Sequence, residues 1–305
     1  MSIINILIKR GYWYNNILFN GSSFLSTYKT FDTDVINLGS LSAKYAFDYS
    51  CLSIKGANFA IPSNPLLGDY HILRNFSSYL KPEGSVVIIT LCPFSSLAGS
   101  YDYLDDRYYT FLYPSSIPNF NYKHSLHVLD QFNNPLKYYP IMNIISDLKH
   151  ALLGEKIKQL TEDEMQKDAE MMMKCWKQEF SLKDFNSQLS LKNKDAIIDS
   201  TTILNKIIEY CRYKHFNPVI VVPPMYHTLS DLLDSKARML LFDTMLKGIE
   251  DTDVPVLNYM DNQDFKDISL FKSSFLLNKR GARAFTADVL KQIGLKFSVG
   301  SCNVP

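Results

Sequence analysis

The chain has no C-x-x-C pair, no H-E-x-x-H and no close Cys/His set, which removes the usual zinc sites. No G-x-G-x-x-G follows an apolar run and no G-x-x-x-x-G-K-[ST] occurs, so neither common phosphate-cradling loop is present. Charge of one sign is also missing. The 32 Lys and Arg against 31 Asp and Glu leave a net +1, which withdraws the strong electrostatic case for nucleic acid or a membrane surface. No window approaches the ~18 apolar residues of a transmembrane helix. The first apolar run is only Ile3 to Ile8, and Lys9-Arg10 follows it, the reverse of a signal peptide. The 5 cysteines are odd in number and widely spaced, which argues against a disulfide framework and for a reducing compartment. These absences predict a cytoplasmic chain with no metal and no cofactor.

What is present is a pattern of short β-branched runs between helical stretches. The 305 residues are 46% hydrophobic, enough for a sizeable core. Strands are expected at 34–38, 57–61, 85–91, 219–222 and 254–257, most with turn residues on both sides. Helical periods run over 67–80, 195–214, 229–249 and 281–293. Strand-helix-strand order at these intervals predicts right-handed crossovers. The fold expected is α/β: a three-layer α/β/α sandwich with a mostly parallel five-stranded sheet.

One interval is too long for a βα connection. Residues 92–191 are read as a large, mainly helical insertion between the third and fourth strands of a single domain spanning 1–305. The first half of the insertion is Tyr/Pro-rich and irregular. The second half has helices at 141–152 and 161–180, with Thr161-x-x-Glu164 as a capping box. Met171-Met172-Met173 and Trp176 make the second helix a candidate lid, and the 141–180 helices a candidate homo-oligomer surface.

In an open parallel sheet ligands sit beyond the carboxyl ends of the strands. The candidates are therefore 39–42, 62–64, 92–96, 223–227 and 258–261. His227 is the one histidine this framework puts on that edge. A serine nucleophile needs a base, and the base an orienting carboxylate. Ser40 or Ser42 with His227 and Asp261 is the candidate set for catalysis; the plainer reading makes the two serines helix caps. Asp102, Asp105 and Asp106 beside Arg107 read as a solvated loop.

Two segments resemble a known family. Asn37-Leu38-Gly39-Ser40-Leu41 follows the first strand, and Leu277-Asn278-Lys279-Arg280-Gly281-Ala282 precedes the last helix, with Phe285-Thr286 inside it. Both are similar to blocks of the SGNH (GDSL-like) hydrolases. Tyr45-Ala46-Phe47-Asp48-Tyr49 and Cys92-Pro93-Phe94-Ser95-Ser96 resemble a branch associated with bacterial surface-polysaccharide biosynthesis. The resemblance covers 34–96 and 217–293. It implies a flavodoxin-like fold, a glycan or small acylated substrate, and oxyanion or substrate-binding roles at Gly39, Gly56, Ser95 and Asn278. It also places non-reactive residues in the catalytic slots: Leu41 for the nucleophile, Ser273 for the aspartate and Leu276 for the histidine. The function expected is thus a degenerate-site member that binds a glycan or partner. A carbohydrate O-acetyl esterase or O-acyltransferase with a rewired Ser/His site, and a structural oligomerisation module, are the alternatives.

Overall fold

The structure, a computed structural model, describes residues 3–98, 104–153, 158–184 and 189–300. Asp102 and Cys302 lie outside the described residues. Five strands form one all-parallel sheet: β1 (Val35–Leu38), β2 (Gly56–Asn58), β3 (Val86–Thr90), β4 (Asn217–Val222) and β5 (Val256–Asn258), in the order β2-β1-β3-β4-β5. Val35 stands opposite Gly56 on one side and Val86 on the other, Ile88 opposite Val219, and Val221 opposite Leu257. The inner strands are buried throughout except at Asn217. A parallel strand covered on both faces is mostly apolar, which is why VINL, VVIIT and PVIVV read as near-continuous runs; the buried polar exceptions are Thr90 and Asn37, whose amide donates to Asn58 Oδ1 at 2.8 Å. A second, antiparallel pair, β6 (Phe271–Ser273) and β7 (Leu276–Leu277), follows β5.

In chain order the helices are α1 (Ile3–Arg10), α2 (Leu41–Ala46), α3 (Leu66–Phe76), α4 (Tyr122–Asn133), α5 (Ile144–Leu153), α6 (Glu162–Glu179), α7 (Leu191–Tyr213), α8 (His227–Ser230), α9 (Ser235–Arg238), α10 (Thr244–Lys247) and α11 (Lys279–Gln292). Val35, Val86, Ile88, Val219 and Val221 point to one sheet face, where they meet Phe47, Met165, Phe285 and Val289 from α6, α11 and the turn after α2. The alternate strand residues point to the other face, the side of α3, α7 and α10, where α7 packs on both its neighbours. The three layers α/β/α are those expected.

The chain divides into two compact units: 30–101 with 158–305, which carries the sheet, and 1–29 with 102–157. The insertion therefore does not behave as one 92–191 body. Its second helix, α6, belongs with the sheet, and its first half joins the N-terminal segment. The physical reason lies in aromatic side chains. Trp13, Tyr14 and Phe19 bury themselves with Phe132, Tyr138 and Tyr139, and the Tyr14 hydroxyl donates to the Phe132 carbonyl at 2.9 Å. Within the stretch read as irregular, Asn121 caps α4 by accepting from the His124 N–H at 3.1 Å.

Two other expectations are corrected. The single helix over 229–249 is broken. Asp234 caps a new helix by accepting from the Ala237 N–H at 2.8 Å, and a π-helical turn spans Met239–Asp243. Arg238 ties the break down by donating to the carbonyls of Leu233 (2.7 Å) and Ser230 (2.9 Å). The cysteines are not all reduced: Cys51 is disulfide-bonded, while Cys92, Cys175 and Cys211 are free.

The Gly-Ala motif before α11 has a steric cause. A Cβ on Gly281 would collide with the Leu270 carbonyl and stand 3.0 Å from the Leu277 side chain. Asn278 caps the same turn, accepting from the Gly281 N–H at 3.0 Å and donating to the Ser269 carbonyl at 2.7 Å. Gly281→Ala is expected to cost about 1–3 kcal/mol, the usual penalty of overpacking. Urea unfolding checks this; an unchanged midpoint refutes the close approach.

Candidate functional site

The site is built around the carboxyl edge of the sheet, where β1 and β3 lie side by side and the strand order reverses. Gly39 ends β1 with φ +131°, a conformation that side chains resist, and a Cβ there would stand 2.7 Å from Ala43 Cβ and 3.0 Å from the Thr90 carbonyl. Its N–H donates to Asp69 Oδ1 at 2.9 Å. Asn64, in the turn after β2, donates to the same oxygen at 2.5 Å. Asp69 is buried, and burial pushes its carboxyl well above the ordinary carboxylate range against those two hydrogen bonds. Gly39 is thus held by a buried acid of α3 that the sequence reading did not single out. The register offers a signal: Leu66, Asp69, Leu73 and Phe76 share one helical stripe, so this acid sits in an apolar row.

Ser40 occupies the N-cap position of α2 without a side-chain cap bond, Leu41 opens the helix half-buried, and Ser42 is buried. After β3, Ser95 Oγ accepts from the Cys92 N–H at 3.0 Å and lies 3.3 Å from Cys92 Sγ. Gly56 opens β2 at the amino edge, far along the strand from the edge where an oxyanion role would put it. It sits under Tyr49, whose ring a Cβ would strike.

The closing segment is a hairpin. Ser273 and Leu276, where the resemblance expects an aspartate and a histidine, pair across β6 and β7. Helix α6 holds this hairpin down. Asp168 Oδ2 accepts from the Ser274 N–H (2.8 Å) and hydroxyl (2.6 Å), and the Ser274 carbonyl accepts from the Tyr226 N–H at 3.0 Å. Trp176 meets Phe275 edge-on at 4.8 Å between ring centroids and Phe94 at 4.6 Å, and Phe94 stacks on Phe180 at 5.4 Å. Met165, Ala169, Met173 and Trp176 form the buried stripe of α6, whereas Met171 is exposed. The capping box of α6 forms as read from Thr161 and Glu164. The hairpin is thus packed against the apolar stripe of α6 and pinned by the Asp168 carboxylate.

Glu162, at the start of α6, reaches the segment after β4. It accepts from the Tyr226 hydroxyl at 2.6 and 2.8 Å and stands 3.3 Å from His227 Nε2. Burial, then the Glu162 carboxylate, pushes the Tyr226 phenol up. Beside them lies a cleft of about 680 Å³ between the segments that follow β4 and β5, lined by His227, Asp231, Arg238, Asp261, Asn262, Gln263 and Lys266 among others. Arg238 grips Asp261 with both terminal nitrogens, the second at 3.2 Å from Oδ1. Burial alone would raise the Asp261 carboxyl; the hydrogen bonds and charge of Arg238, with Ser230, hold it below the ordinary value. Of the residues named as a rewired set, His227 and Asp261 share this cleft, each with its own partner, while Ser40 and Ser42 do not line it.

Sequence reasoning missed Glu162, Asp168 and Arg238. Each acts on a residue 20 or more positions away, so no local pattern announces it. The motif residues Asp48, Arg283 and Thr286 turn out to be scaffold. Asp48 donates its N–H to Thr286 Oγ1 at 2.9 Å, and its carboxylate accepts from Arg283 Nε at 3.1 Å. Among the described residues no three His, Cys, Asp or Glu side chains gather as a metal cage, and no described helix is long and apolar enough to cross a membrane. No protein-family model and no curated protein sequence matches the chain.

Proposed function

We propose that the chain is a non-catalytic, SGNH-like protein that binds a glycan in the cleft beyond the carboxyl ends of β4 and β5. The observation that carries this reading is the packing of α6 on the closing hairpin. Trp176 packs between Phe94 and Phe275, the latter in the turn of the hairpin that carries Ser273 and Leu276, and Ser40 and Ser42 do not line the cleft that holds His227 and Asp261. The neighbouring cleft is chemically suited to a sugar. Its guanidinium–carboxylate pair and its Asn262 and Gln263 amides supply planar groups that donate and accept toward vicinal hydroxyls. The surface-polysaccharide setting rests on the family resemblance of the motifs.

Titration calorimetry with capsule-type oligosaccharides tests it. Asp261→Ala is expected to weaken binding about tenfold or more, since hydrogen bonds to charged groups contribute about 1.5–3 kcal/mol. Absence of binding across a broad oligosaccharide panel refutes the proposal. So does turnover of p-nitrophenyl acetate that falls in Ser40→Ala, Ser42→Ala or His227→Ala, which would make the chain an esterase.

A further inference from the structure

The unit formed by 1–29 and 102–157 carries two apolar stripes that none of its own described residues covers. Along α5 and the turn leading into it, Ile141, Ile145, Leu148 and Leu152 recur at helical spacing and are 56–82% exposed. The opposite side of α5 is occupied. Asp147 accepts from the Trp13 N–H and the Tyr139 hydroxyl, both at 2.8 Å, and the His150 ring stacks on Tyr12 at 4.0 Å. Helix α1 repeats the arrangement, with Asn5 and Ile8 buried and Ile3 and Leu7 at 76% and 60% exposure. Stripes of this size on two neighbouring elements mark an interaction face.

The charges around them decide what fits. The first 31 residues contain no Asp or Glu. Arg10 and Lys149 are exposed and make no ion pair among the described residues, whereas the described acids of this unit are engaged: Asp105 with Arg107, Asp106 with His124, Asp130 with Lys137, and Asp147 as above. Over residues 1–29 and 102–157 the sequence has 8 Lys and Arg against 6 Asp and Glu, so the unit is net positive and its unpaired cations flank the apolar stripes. A second copy docking through the same stripes would set Arg10 and Lys149 against their own like charges. A surface that is apolar beneath and anionic on top satisfies both features.

We propose that this unit docks α1 and α5 on a bilayer surface bearing anionic headgroups, with both helices lying in the plane of the interface. Neither spans it. The overall near-neutral charge hid the feature, because most of the acids that balance the chain lie outside this unit.

Co-sedimentation of the full chain with phosphatidylcholine vesicles, with and without phosphatidylglycerol, tests this. Partitioning is expected only with phosphatidylglycerol present. Ile145→Glu with Leu148→Glu is expected to reduce it on the order of a hundredfold, as two lost aliphatic burials imply. Arg10→Glu and Lys149→Glu are each expected to reduce it at least about fivefold, from the usual worth of one basic residue at an anionic surface. All four positions are exposed, so thermal melting should stay at the wild-type value and certify folding. No partitioning, or equal partitioning with and without phosphatidylglycerol, overturns the proposal. So does a dimer in sedimentation equilibrium that the Ile145→Glu/Leu148→Glu variant converts to monomer while vesicle binding stays absent.

Discussion

Replacing Trp176 by alanine is expected to lower the melting temperature by about 10 °C and to expose no esterase activity. Truncating a buried Trp typically costs about 3–5 kcal/mol, and in a chain of this size each kcal/mol shifts the midpoint by about 2–4 °C. Trp176 bridges Phe94, after β3, to Phe275, at the tip of the closing hairpin, so its loss releases both. Calorimetry and a p-nitrophenyl acetate assay on the same sample check the two halves. A midpoint within about 2 °C of wild type would show that α6 rests on the edge without holding it. New turnover would show that reactive groups lie under α6.

Asp69 gives the second large effect, and its sign depends on pH. In the unfolded chain its carboxyl ionises near 3.8; in the folded protein burial raises it well above that, outweighing the hydrogen bonds from Gly39 and Asn64. The folded state then binds a proton more tightly than the unfolded state. The associated stability is fully present below the unfolded value and is lost as pH rises through the folded one. Asp69→Asn keeps an oxygen to accept from Gly39 and Asn64 without a buried charge. It is expected to match wild type near pH 4 and to exceed it progressively at higher pH. Asp69→Ala leaves two buried donors unpaired and is expected to cost about 2–4 kcal/mol near neutral pH. Unfolding free energies of the three proteins between about pH 4 and pH 9 decide the matter. If the wild type and Asp69→Asn run parallel, or if Asp69→Asn is as damaged as Asp69→Ala, the buried acid is not protonated in the folded state.

The sheet was legible because burial on both faces makes VINL, VVIIT and PVIVV apolar at nearly every position, a signal carried by neighbours in the chain. The capping box at Thr161 was local in the same way; the cap at Ser190 was missed, and Asn278, expected to bind substrate or an oxyanion, caps α11. The helix expected over 229–249 failed on Asp234, since its apolar periodicity continues past a residue that restarts the backbone. The partition of the insertion was illegible because Tyr14 and Phe132 find each other across 118 positions. At the site, the motifs singled out Leu41, Ser273 and Leu276 as positions where the resemblance expects reactive groups. The contacts that hold the hairpin could not be read, because Asp168 and Ser274 are 106 positions apart and neither belongs to a pattern.

This packing also sets an order of events in synthesis. Trp176 and Asp168 leave the ribosome about 100 residues before the hairpin they hold, and β4, the neighbour of β3, emerges only after the insertion. At about 5–20 residues per second, several seconds pass in which the apolar stripe of α6 has no permanent seat. Contacts of such long sequence separation also close slowly once all parts exist. The same helix that packs on the hairpin in the mature protein therefore lacks its Phe275 and Ser274 contacts in the nascent one until the chain has passed β7.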